Sequence, residues 1–179
     1  MAKGIIVFGG NGSGKTTLGR ELAQVLKYKH IDIEDYYFND AEIPYSAPRS
    51  REECIALMLA DIEEYGSFVL SSVRGNLDEK ISAMYEFAIY LSAPLEIRLE
   101  RVKKRALEKF GERVLAGGDM YEQEQRFFDF VASRSLEDIE RWAETVTCPV
   151  IKVDAAKPIS ENLEYIVSQY NMKKNFTEE

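Results

Sequence analysis

The run Gly9-Gly10-Asn11-Gly12-Ser13-Gly14-Lys15-Thr16-Thr17 constrains the fold of this chain more than any other stretch. It follows the apolar segment Ile5-Ile6-Val7-Phe8. It precedes Leu18, Leu22, Val25 and Leu26, which fall at helical spacing. The order is strand, glycine loop, helix. Gly9, four intervening residues, then Gly14-Lys15-Thr16 matches the phosphate-binding P-loop in full. Glycine lets backbone N–H groups approach a polyphosphate with no Cβ between them. The helix start adds its unpaired N–H groups and the positive end of its dipole. Nucleotide binding is therefore the expectation, with Gly10, Asn11, Gly12, Ser13, Gly14, Lys15, Thr16 and Thr17 forming the cradle. Lys15 supplies a mobile charge to the outer phosphates. The Thr16 hydroxyl supplies an oxygen ligand for Mg²⁺.

A chain of 179 residues suits one domain, 1–179. Its net charge of −8 argues against a nucleic-acid partner, which needs an electropositive face. No apolar run approaches the ~20 residues that span a bilayer, so no membrane association is expected. The opening Met1-Ala2-Lys3-Gly4-Ile5 has no signal-peptide layout. Cys54 and Cys148 lie in apolar patterns and read as free thiols, so the location is expected to be cytoplasmic. With His30 the single histidine, zinc sites and Ser-His triads lack material.

Beyond the first helix, short apolar strands alternate with helical patterns, an α/β signature. Strands are expected at 3–8, 30–33, 68–71, 87–91 and 149–153. The second ends in Asp32-Ile33-Glu34-Asp35, and strand alternation places Asp32 and Glu34 on one side. Carboxylates at the C-terminal end of a parallel strand stand where such sheets bind ligands. Ser50 and Glu53 form a capping box that opens a helix ended by Gly66. Arg74, beside Gly75 after the third strand, is placed to bind a substrate anion. Pro94 starts a long helix with Leu95, Leu99, Val102 and Ala106 on one side. Its basic block, Arg98 to Arg105, is either a solvated face or a cationic cover for the triphosphate. The segment 111–119 breaks helical spacing, and an aromatic-bearing helix follows. Residues 106–134 thus read as a lid or as a helical hairpin completing the core. A polar, frayed tail is expected from Met172.

These pieces together resemble the P-loop small-molecule kinases: adenylate kinase, shikimate kinase, gluconokinase and their relatives. The resemblance is strongest in GGNGSGKTT and extends over most of the chain. It implies a three-layer α/β sandwich with a five-stranded parallel sheet in order 2-3-1-4-5 and a helical lid. His30-Ile31-Asp32-Ile33-Glu34-Asp35 looks like the family's second strand, whose carboxylates contact Mg²⁺ water or the phosphoryl acceptor. Residues 91–105 are similar to its fourth strand and following helix, with Arg101 and Arg105 at the lid's entry. Residues 153–158 look like its loop near the adenine. The third strand ends in Leu70-Ser71-Ser72-Val73 with no Walker B acid, which leaves magnesium to Thr16, Asp32, phosphates and water.

The combined expectation is an ATP- and Mg²⁺-dependent phosphotransferase acting on a small-molecule acceptor. Lys15 and the loop amides hold the phosphates, and Thr16 and Asp32 hold the metal. Asp32 orients a metal-bound water or takes the acceptor's proton, with Glu34 or Asp35 assisting. Arg74 grips the acceptor, and Arg105 or Arg113 closes over the transferring group. Tyr36, Tyr37, Phe38 and Tyr45 either stack a flat ring or pack as core. The alternative is a nucleotide-dependent switch with no acceptor.

Overall fold

The structure, a computed structural model, describes residues 2–38 and 48–177. Five strands form one parallel sheet in the order β2-β3-β1-β4-β5. They are β1 (Lys3–Phe8), β2 (Lys29–Asp32), β3 (Ser67–Ser72), β4 (Tyr85–Ser92) and β5 (Val150–Asp154). The helices are α1 (Lys15–Leu26), α2 (Ile33–Tyr37), α3 (Arg51–Tyr65), α4 (Glu79–Ser82), α5 (Leu95–Phe110), α6 (Tyr121–Ser133), α7 (Glu137–Thr145) and α8 (Ile159–Thr177). A 3₁₀ turn, Gly111–Val114, follows α5.

The strands are apolar on consecutive positions because both faces of the sheet are covered. Ile5 and Val7 point into a core with Leu18 and Leu22 of α1 and Ile166 and Tyr170 of α8. Ile6 and Phe8 point into the opposite core, with Met58 and Ile62 of α3 and Ile139 of α7. The β1–β3 register runs from Lys3 opposite Ser67 to Phe8 opposite Ser72. The two strands therefore end level, and the loop after β1 leaves the sheet in its centre, where strand order reverses. Gly19 permits the close approach of α1 to β3, since a Cβ there would lie 2.3 Å from Ser71 Oγ.

Local chemistry sets the helix ends. Ser50 and Glu53 form the reciprocal capping box before α3, and Gly66 closes it in the left-handed region at φ 74°. Asp78 caps α4 through Lys80 N–H, and the Ser135 hydroxyl accepts from Glu137 N–H before α7. Cys54 and Cys148 are both free thiols.

Several expectations shift. From sequence, residues 78–86 read as a short helix, but α4 is only Glu79–Ser82, because the chain is back in the sheet by Tyr85. The helix α8 runs to Thr177, through the segment read as a frayed tail. The inward stripe of α5 is Arg98, Val102 and Ala106, with Leu95 and Leu99 only half-buried. A third, smaller core joins Val102 and Ala106 of α5 to Val114 and Phe128, with Phe110 and Phe127 packed against it. It is separate from both sheet cores, so residues 111–133 are mounted on α5.

Candidate functional site

The loop between β1 and α1 is held from outside by three arginines. Arg98, buried within α5, donates from Nε to the Ala93 carbonyl at 3.2 Å and from Nη1 to the Asn11 carbonyl at 3.4 Å. Arg101 donates to the Ser13 carbonyl at 3.3 Å and the Ala155 carbonyl at 2.8 Å. Arg134, at the end of α6, donates to Asn11 Oδ1 at 3.1 Å. With the Asn11 and Ser13 carbonyls so engaged, the remaining N–H groups of the loop and first helical turn are what an anion meets. Gly12 is required by this clamp. Its φ is +78°, and a Cβ there would lie 2.3 Å from the Arg98 carbonyl oxygen.

Lys15 stands in the first turn of α1, its Nζ donating to the Gly10 carbonyl at 3.0 Å. Burial lowers its ammonium pKa from 10.5 to about 8. Glu34 and Asp32 oppose that shift, and Arg105 and Arg134 add to it. The buried Ser13 hydroxyl has no hydrogen-bond partner among the described residues. Behind the loop, Ser71 Oγ donates to the Lys15 carbonyl at 3.1 Å and accepts from His30 Nε2 at 3.0 Å. Burial pushes the His30 imidazole pKa down, which suits this neutral donor role.

Asp32 differs in its local structure from the reading by alternation. It ends β2 and caps α2, with Oδ1 accepting from Glu34 N–H at 3.1 Å. Glu34 therefore lies on the first turn of a helix and not in the strand. Asp32 Oδ2 accepts from the Thr16 hydroxyl at 2.6 Å. A hydroxyl and a carboxylate in contact at the mouth of an amide cradle form an all-oxygen donor pair. That donor chemistry fits Mg²⁺, whose other ligands come from phosphate and water. Among the described residues no cluster of three or more Asp, Glu, His or Cys offers a protein-only metal cage.

Two cavities adjoin this centre. The first, about 390 Å³, is lined by Asn11–Leu18, Asp32, Glu34, Arg101 and Arg105. Ala155, Lys157, Ile159 and Asn162 line it as well. The second, about 360 Å³, lies between Asn11, Glu34 and Phe38 on one side and α5 and α6 on the other. Asn11, Glu34, Val102 and Arg105 line both.

The structure thus brings together Asn11, Gly12, Ser13, Gly14, Lys15, Thr16, Thr17, Asp32, Glu34 and Arg105. Gly10 packs behind the loop, beside Arg98 and Leu136. Three other candidates line neither cavity. Asp35 offers its carbonyl to Arg49. Arg74 follows β3. Arg113 forms an exposed, two-bond pair with Asp119, 2.9 and 2.7 Å. Of the aromatic residues, Tyr36 donates to Asp61 in the α3 layer and Phe38 lines the second cavity. Tyr45 lies outside the described residues. Sequence reasoning missed the buried role of Arg98, and it missed Arg134, Ser71 and Glu124. Glu124 carries a readable signal. With Phe127, Phe128 and Val131 it falls on the inward stripe of α6, where a carboxylate is out of place.

The fold and this centre define a P-loop protein with the topology of nucleoside and small-molecule kinases. A family model described as "AAA domain" matches residues 5–114. The chain belongs to that family. The uncharacterized protein YqaC of Bacillus subtilis is 29% identical over 177 residues, covering 93% of this chain and 97% of that one. A shikimate kinase of Clostridium botulinum is 28% identical over 156 residues, covering 80% of this chain and 86% of its own. Among solved structures, shikimate kinase from Bacteroides thetaiotaomicron superposes with a TM-score of 0.60 at 18% identity, covering 96% of this chain and 99% of its own. Deoxyadenosine kinase from M. mycoides does so with a TM-score of 0.56 at 17% identity, covering 94% and 99%. At these identities the structural likeness concerns the fold.

Proposed function

We propose that this chain moves the γ-phosphoryl group of Mg-ATP to a hydroxyl of a small-molecule acceptor. The observation that carries the reading is the pair of adjoining cavities. One is a P-loop cleft, the other a pocket under the lid segment, and Glu34 and Arg105 stand in the wall between them. A nucleotide switch needs the first and has no use for the second. The kinase names among the relatives support the same reading.

Phosphoryl transfer asks the protein to align two reactants, spread charge and exclude water. Lys15 and the N–H groups of the loop and first α1 turn hold the outer phosphates. Thr16 and Asp32 would hold Mg²⁺, which supplies charge neutralisation on the polyphosphate when bound. With Asp32 serving the metal, the acceptor's proton falls to the Glu34 carboxylate, which lines both cavities. The acceptor oxygen bonds to the γ-phosphorus as the bond to the ADP oxygen breaks. Arg105 meets the charge that develops between them. Residues 106–134 close over the pair and keep water out.

The test is ADP formation from Mg-ATP with and without a panel of hydroxyl compounds. Turnover that rises on adding one of them supports the assignment. Steady ADP formation indifferent to every acceptor favours the switch and overturns it.

A further inference from the structure

The second cavity has a chemical character of its own. Phe38, Phe110 and Phe127 give it aromatic walls. Glu124 lies in the part not shared with the P-loop cleft. It is 8% exposed, and among the described residues no hydrogen bond or ion pair engages its carboxylate. Of the cavity's cations, Lys109 lies 5.1 Å from the Phe110 ring centre, and Arg105 stands at the wall shared with the P-loop cleft. A carboxylate on the cavity wall with no partner among the described residues can accept from a bound N–H donor. The adjacent Gln123 adds an amide that can both donate and accept.

We infer that this pocket selects a hydroxyl compound built on a planar ring that carries an amino group, with Glu124 accepting from that amino group. This rests on the phosphotransferase reading only for which group is phosphorylated; the recognition stands on the pocket. The ring lies among the phenylalanines, with its amino edge toward Glu124 and its hydroxyl toward Glu34 and Arg105. At about 360 Å³ the pocket is near the lower end of small-molecule sites, which run from roughly 300 to 1,000 Å³, so the acceptor is compact. An acceptor with a carboxylate in place of the amine would set two like charges together.

The experiment uses matched probes differing at one ring substituent: adenosine against purine riboside, and cytidine against pyrimidin-2-one riboside, each partner carrying hydrogen in place of the amine and no ring N–H. Shikimate serves as the carboxylate probe. Binding is measured by calorimetry on the intact chain. The amino member of each pair should bind at least about tenfold more tightly than its deaminated partner, since a site built around a donor rejects the analogue lacking it. Glu124→Met should erase the preference, and Glu124→Gln, which keeps one acceptor oxygen, should retain part of it. Unchanged Mg-ATP affinity in both variants reports an intact fold. Equal binding within pairs, a preference that survives Glu124→Met, tighter shikimate binding, or no binding by any probe would each overturn the inference. ADP formation is scored separately. Amine-selective binding with no phosphate transferred removes the kinase reading and leaves the pocket assignment standing.

Discussion

The half-buried, desolvated amine of Lys15 makes nucleotide binding depend on pH above neutrality, and the dependence can be worked out in sign and size. Its ammonium pKa falls from 10.5 to about 8 chiefly through burial. A polyphosphate in the cradle restores a counter-charge and raises the bound-state value. Above about pH 8 the free chain has therefore lost a proton that the complex needs. Affinity should fall by up to about tenfold per pH unit, or about 1.4 kcal/mol, until the bound-state pKa is reached. The polyphosphate does not confuse the measurement, because its last proton leaves near roughly pH 6 to 7. At about pH 8 binding should take up roughly half a proton. Calorimetry at fixed pH in buffers of different ionisation enthalpy reads that uptake directly. In Lys15→Arg, whose guanidinium does not titrate in this range, the uptake should vanish. Folding responds with the opposite sign. The penalty for the desolvated ammonium is complete below about 8 and is relieved as pH rises toward 10.5, so the Lys15 contribution to stability grows with pH in that window. Affinity that stays level from about pH 7 to about pH 9, with enthalpy independent of buffer, would refute the reasoning.

Other perturbations separate the remaining roles. Asp32→Asn should lower turnover by about 10²-fold or more, while nucleotide affinity measured without metal stays within a few-fold. Gly12→Ala forces a Cβ against the Arg98 carbonyl at positive φ. It should cost about 1–3 kcal/mol in denaturant unfolding and weaken Mg-ATP binding. Arg98→Met removes the donor to the Ala93 and Asn11 carbonyls, and a similar loss of about 1–3 kcal/mol is expected, with nucleotide affinity reduced as the loop loosens. Arg105→Ala should lower the acceptor-dependent rate by about 10²-fold or more. Arg113→Ala, which breaks only an exposed pair with Asp119, should change it far less. A larger effect at Arg113 than at Arg105 would reverse these lid assignments.

The P-loop was legible because its residues are contiguous and each is demanded by backbone geometry or charge. The sheet order followed from the resemblance that the loop anchors. Asp32 was legible by position at a strand end, although its form was not. Alternation assumes that the strand continues, whereas Asp32 stops it by capping α2. The clamp on the loop was not legible. Arg98 and Arg134 lie 87 and 123 positions from Asn11, and no local pattern announces a contact made by tertiary packing. The composition of α5 misled in the same way. A run of basic residues reads as a solvated face, yet Arg98 turns inward because it has loop carbonyls to meet. Glu124 was visible as a carboxylate within an apolar stripe, but its meaning required the cavity it lines.

The central claim is that the loop amides, Lys15, Thr16 and Asp32 act together on a magnesium-bound polyphosphate. Titrating ATP into the chain with Mg²⁺ and then with excess chelator tests it most directly. The account predicts saturable binding of one nucleotide per chain, weaker without the metal. In Thr16→Val the metal dependence should be lost, and in Lys15→Met the binding itself. Equal binding with and without Mg²⁺ in the wild type, or full binding by Lys15→Met, would contradict it.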